Sequence, residues 1–157
     1  ALPNPPRDNR TFDTPNKKAN FVAHDLPDVE IPDGKFVMMT IRSHDQYNTT
    51  IYHLNDRYRG IHGNRRVVLM NANDMIKRGW KTRRIVDIVS HFNGEERRSD
   101  AWQVVAYDIP EGNIATYFPE ANVLVPLNST ADNSNTPTSK WVICSLLEPG
   151  QGLFEEE

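Results

Sequence analysis

Apolar residues in this chain fall into short blocks separated by long polar stretches, and the blocks have the length of strands. Phe36–Ile41 (FVMMTI) is apolar enough to be buried on both faces. Residues 65–70 (RRVVLM) and 84–90 (RIVDIVS) read as further strands, and Asn93-Gly94 after them is the strongest hairpin signal in the chain. Its partner is expected over residues 97–107, where Trp102, Val104, Val105 and Tyr107 supply bulk in a less regular pattern. Short strands are expected at 114–117 and at 140–147 (KWVICSLL), and an edge strand at 18–24 (KANFVAH). Between 114–117 and the last strand come a turn through Pro119 and Asn122 and an apolar Val123-Leu124-Val125. One short helix is predicted, capped within Asn71-Ala72-Asn73-Asp74, running through Arg78 and stopped by Gly79.

Helix is scarce and no strand–helix–strand unit repeats, so the pattern predicts a small closed or nearly closed β-barrel. The Pro-rich start suits an extended or disordered lead-in over 1–17, followed by one barrel domain over 18–148 and an acidic tail over 149–157. A chain of 157 residues with 38% hydrophobic content fits one core and not two. It opens on Ala and not Met, so we expect a piece of a longer polypeptide.

Charge changes the picture only locally. A formal net charge of −3 gives no general reason to expect nucleic acid as a partner. The middle is basic, with Arg57, Arg59, Arg65, Arg66, Lys77, Arg78, Lys81, Arg83 and Arg84 set against Asp56 and Asp74. That middle is either a mixed solvated surface or a seat for phosphate or an acidic neighbour. One Cys excludes an internal disulfide and a cysteine cluster for metal, and fits a reducing, cytoplasmic setting. No apolar run approaches the roughly 20 residues of a membrane span. The five His show no metal-ligand spacing, and no Ser sits in a nucleophile motif. Cys144, in an apolar strand, is expected to be an inert thiol.

Two polar loops stand out against this background. The first follows Phe36–Ile41: Arg42, Ser43, His44, Asp45, Gln46, Tyr47, Asn48, Thr49 and Thr50 succeed one another without an aliphatic residue. The second, LNSTADNSNTPTSK over 127–140, again lies between apolar blocks. Such loops either solvate their own backbone or present donors to a polar ligand.

The order of residues decides more than the composition does. The segments RSHDQYNTTIYHLNDRYRGIHGNRRVVLMNANDMIKRGW, VDIVSHFNG and TYFPEANVLVPLNSTADNSNTPTSK, in that order, resemble the C-terminal molybdopterin-dinucleotide-binding domain of molybdopterin-dependent oxidoreductases. The likeness is greatest to formate-dehydrogenase-like alpha subunits. The lead-in RTFDTPNKKANF resembles the family's TPSGKAEF approach, with Lys17 where that pattern has Gly.

The resemblance implies a mainly β fold, a double-psi β-barrel with a few short helices. It implies a pair of molybdopterin guanine dinucleotides around molybdenum or tungsten, with the metal ligand and any 4Fe-4S cluster in preceding domains. The cofactor contacts it implies are Arg42, Ser43, Gln46, Tyr47, Asn48 and Thr49 in the first loop, Asn122 in PEANVL, and Ser139 and Lys140 in TPTSK. Relatives often have an acid in place of Ser43, a His in place of Gln46 and an aromatic in place of Ser139. The chain would hold a cofactor for chemistry done by the remaining domains of its parent, with no catalytic residue of its own and no nucleic-acid or membrane partner. The alternative is a double-psi barrel serving as a protein-recognition module.

Overall fold

The computed structural model describes residues 2–26 and 30–152. They fall into two units, Ala1–Glu30 and Ile31–Glu157.

The first unit holds one short helix, α1 (Pro5–Asn9), where the sequence suggested an extended lead-in. Its cause is local: the Asn4 side chain caps Arg7 N at 3.2 Å and proline occupies the first turn, where its missing N–H costs nothing. The edge strand expected at 18–24 does not form. Phe21 and Val22 are 98% and 70% exposed, and the described residues of this unit include no strand to complete a ladder.

The second unit is a closed six-stranded barrel. Its strands are β1 (Phe36–Ile41), β4 (Val67–Met70), β5 (Ile85–Phe92), β6 (Glu95–Ala106), β7 (Asn113–Tyr117) and β8 (Val142–Leu147), and a separate small hairpin is formed by β2 (Gln46–Tyr47) and β3 (Ile51–Tyr52). Around the barrel the order is β1-β7-β4-β6-β5-β8, with β8 returning to β1. Closure leaves no barrel strand with a free edge, which suits strands this short. The β1–β7 and β4–β6 pairs are parallel and the others antiparallel.

The local signals are realised closely. Phe92 pairs with Glu95 across Asn93 (φ 50°) and Gly94 (φ 81°), two positive-φ positions that define a type I′ turn. Asn71 caps α2 (Ala72–Lys77) by accepting from Asn73 N at 2.7 Å, and Gly79 follows at φ 67°. The irregular patterning of β6 also has a cause. The β5–β6 register shifts between Val86 and Ile88, which face Trp102 and Ser99, so Asp100 and Ala101 stand opposite Asp87 alone. This bulge reverses the alternation midway along the strand. Asp87 secures it by accepting from Ala101 N (2.9 Å), Gly150 N (2.9 Å) and Arg98 Nη2 (2.5 Å).

The main core gathers Met38, Val68, Met70, Val86, Ile88, Trp102, Val104, Ile114, Val142 and Cys144. Ala121 and Leu124, from a short 3-10 turn over Glu120–Leu124, belong to the same core. A second cluster of Ile61, Val67, Leu69, Ala115 and Tyr117 holds the excursion between β1 and β4 against β4 and β7. Burial on both sides explains why β4 reads as a continuous apolar run.

Candidate functional site

Strand direction determines which loops meet. β1 and β7 run parallel with Ile41 beside Tyr117, so the chain leaves the barrel side by side at Arg42 and at Phe118. β8 runs against β1 and enters from the same end: Thr40 N donates to Ser139 O at 2.9 Å, and Lys140 Nζ donates to Thr40 O. β4 runs against β7, so Arg65, just before it, also lies there. Two polar loops some 80 residues apart in sequence therefore share one rim.

A groove of about 400 Å³ opens on this rim, lined by Phe118, Asn122, Pro126, Leu127, Thr136, Pro137 and Ser139 among others. Its walls are mainly apolar, with Asn122, Thr136 and Ser139 as its polar side chains. The Arg42 guanidinium stands 6.0 Å from the centre of the Phe118 ring, which places a cation beside the wall. Of the expected residues, Asn122 and Ser139 line the groove, while Arg42 and Lys140 share its rim.

The remaining expected residues are placed differently. Tyr47 in β2, and Asn48 and Thr49 in the turn that joins β2 to β3, are exposed, and none of them lines the groove. Ser43 is buried, and its hydroxyl accepts from Arg65 Nη1 at 2.9 Å. Gln46 accepts from Ser43 N (3.2 Å) and Arg65 Nη2 (2.9 Å), and donates to Phe118 O (2.9 Å) and Asn48 O (2.7 Å). These two side chains are bonded within the protein.

Sequence reasoning missed the groups that hold the rim together. Arg65, read from the sequence as a strand start within the basic middle, is buried and paired with Glu120 at 2.6 Å. Asp56 is 1% exposed and gathers four donors: Tyr117 OH (2.8 Å), Arg59 Nη1 (2.6 Å), His44 N (3.3 Å) and, at its other oxygen, His44 Nδ1 (2.9 Å). Arg59 lies only three residues from Asp56, but Tyr117 and Glu120 lie more than fifty residues from the groups they bond, and pairs that remote leave no local signal. Much of the basic middle pairs with acids: besides Arg65, Arg57 meets Asp45, Arg59 Asp56, Lys77 Glu111 and Arg84 Glu148, while Arg66 and Arg78 donate to the backbone carbonyls of Asp100 and Gly34.

Burial pushes the Asp56 carboxyl upward, but the Tyr117, Arg59 and His44 donors together outweigh it and hold its pKa at about 2, against 3.8 ordinarily. The same contact, added to burial, raises the Tyr117 phenol. A depressed folded-state pKa contributes stability that is present above the unfolded value and is lost as pH falls through the folded one. Asp56 should therefore contribute about 2 kcal/mol at pH 5 that disappears between about pH 4 and pH 2. Urea midpoints across that range, compared with those of Asp56→Asn, measure it. Parallel pH profiles for the two proteins would refute the assignment.

A second cluster has the look of a nucleophile relay. On the barrel's outer face His91 Nε2 lies 2.9 Å from Ser145 Oγ, and its Nδ1 lies 3.0 Å from Glu96. Acyl transfer also needs free donors where negative charge develops. Ser145 sits mid-strand in the β5–β8 ladder, and the nearby Arg98 nitrogens are taken by Asp100, Gln151 O and Asp87. The glutamate side chain is 66% exposed, which weakens its hold on the imidazole. The cluster is a set of cross-strand polar contacts. Cys144 is also set apart from chemistry, because burial pushes its thiol up to about 12. Among the described residues no group of acidic, His and Cys side chains could hold a metal ion.

A rim that pairs an apolar-walled groove with cations and short polar side chains is the kind of surface that seats a large anionic ring-bearing ligand. Residues 36–143 match the family described as "Molydopterin dinucleotide binding domain", and the chain belongs to that family. It is 51% identical over 150 residues to a protein named "Uncharacterized oxidoreductase" in Mycobacterium bovis and to another so named in Mycobacterium tuberculosis, 92% of this chain being covered in each case. It is 38% identical over 144 residues to Protein YdeP of Escherichia coli, with 87% of the chain covered. The chain spans only 19% of the length of each of these relatives. The family, the mainly β barrel and a molybdopterin ligand thus agree with the expectation drawn from the ordered motifs.

Proposed function

We propose that this chain is the cofactor-holding domain of a cytoplasmic, formate-dehydrogenase-like oxidoreductase. Its ligand would be the bis-molybdopterin guanine dinucleotide, with molybdenum or tungsten and any 4Fe-4S cluster held by other domains of the parent. The observation that carries this reading is the shared rim, where Asn122 and Ser139 line an apolar groove beside Arg42 and Lys140.

The residues present fit such a ligand. Phe118, Pro126 and Pro137 offer flat apolar walls for a fused ring, and Asn122, Thr136 and Ser139 offer short hydrogen-bonding groups. Arg42 and Lys140 bring the positive charge that phosphate requires. When bound, the cofactor supplies metal-centred redox chemistry. This chain binds and orients it, while Ser43 and Gln46 serve through the framework of the first loop. The rest of the parent is the proposed partner, seated partly on the exposed side chains of Tyr47, Ile51, Leu54 and Tyr58. A recognition module working through the basic middle is less well supported, because so many of those cations already have acidic partners.

The full-length parent should purify with molybdenum or tungsten and with pterin. Arg42→Ala and Lys140→Ala should each weaken pterin retention about tenfold or more, the usual loss for a charge-assisted hydrogen bond. Both should leave the urea midpoint within the range of surface substitutions. A folded parent without metal and without pterin would refute the proposal. Variants that unfold instead would make these two side chains structural.

A further inference from the structure

We propose that Arg65 is a positioning residue for this site: a buried lock that holds the loops after β1 and β7 at a fixed separation before any cofactor arrives. This inference rests on the proposed function. Its side chain is 3% exposed, so it cannot itself be a surface ligand for phosphate. Every nitrogen of its guanidinium is used. Nε donates to Glu120 Oε1 (2.6 Å), Nη1 to Ser43 Oγ (2.9 Å) and His53 O (3.4 Å), and Nη2 to Gln46 Oε1 (2.9 Å), Phe118 O (2.9 Å) and Glu120 Oε2 (3.1 Å).

The ring faces of Tyr52 and Tyr117 add to the hold, with centroids 4.4 Å and 5.0 Å from the guanidinium carbon. One cation thus ties the loop that begins at Arg42 to the turn that leads through Phe118 and Glu120 to Asn122. Glu120 balances its charge, so the lock is complete without an external anion. The consequence concerns Arg42 and Asn122, which stand one residue before and two residues after groups bonded to Arg65. Their spacing is set by the lock, and a binding site preset in this way loses less freedom when its ligand enters.

Lysine keeps the charge but cannot reproduce a planar fork with bonds in several directions. In the full-length holoprotein, Arg65→Lys should speed pterin loss during dialysis by about tenfold or more per folded molecule. Ser43→Ala should speed it severalfold in the wild-type background and add little in the Arg65→Lys background, because the link is already cut. A purely structural role would lower the unfolding midpoint without changing retention per folded molecule, and that result overturns the proposal. Should Arg65→Lys fail to fold, Ser43→Ala and Glu120→Gln decide: faster loss in both supports the lock, and unchanged loss in both overturns it. A wild-type parent that carries no pterin removes the proposed function and the lock together. A wild-type parent with pterin beside variants of equal retention removes the lock alone.

Discussion

Asp56→Ala is expected to lower the unfolding free energy by about 3–5 kcal/mol, the usual loss when one partner of a buried charged network is removed. The carboxylate is almost wholly buried, and three side chains from separate places converge on it: Tyr117 from β7, Arg59 from the turn before Gly60, and His44 from the loop after β1. Removing it leaves the Tyr117 hydroxyl buried without its acceptor and Arg59, 16% exposed, without its counter-charge. Arg59 Nε already lacks a partner, so the site has no spare acceptor to offer. The loss should appear as a lower urea midpoint and as early exposure of the excursion between β1 and β4 in hydrogen exchange. A destabilisation under about 1 kcal/mol, in the range of surface ion pairs, would show that the network is incidental.

The second large effect is expected at Trp102. Its side chain is fully buried in the main core and its indole N–H donates to Ser99 Oγ at 3.0 Å. Trp102→Ala should cost about 3–5 kcal/mol, through lost apolar burial and the cavity left behind. Trp102→Phe should cost less, since it keeps most of the ring and gives up one hydrogen bond worth about 1 kcal/mol. Equal losses for the two variants would contradict the packing described. Because Trp102 and Ser99 flank the β6 bulge, loss of either should also loosen the register that the bulge fixes.

How much of this was legible beforehand depends on the range over which each feature is encoded. The Asn93-Gly94 turn is set by two adjacent residues that tolerate positive φ, so both its place and its type could be read directly. The stop at Gly79 could be read in the same way, whereas the sequence placed the cap only within residues 71–74 and the structure assigns it to Asn71. The strand expected at 18–24 failed because an apolar pattern forms a strand only where another strand receives it. β6 read poorly because the bulge at Asp100 and Ala101 changes which face each residue occupies, and a bulge is defined by the opposite strand.

The site divides along the same line. The ordered motifs named Asn122 and Ser139, which line the groove, and Arg42 and Lys140, which share its rim. They also named Ser43 and Gln46, whose polar side-chain atoms turn out to be bonded within the protein, to Arg65, to Phe118 O and to the backbone of the first loop. Residue type announces hydrogen-bonding capacity, but not the partner that will use it.

The sequence by itself determined most of the elements: the barrel strands, where the tight turn and the helix stop fall, and which family the chain joins, because these depend on neighbouring residues and their order. Only the tertiary structure decided that β1 and β7 run side by side in parallel, that four separated segments reach one rim, and that Arg65 and Asp56 hold them there. Those outcomes arise when distant groups give up water for one another in a buried place, and a buried partnership between residues more than fifty positions apart has no signature in either stretch alone.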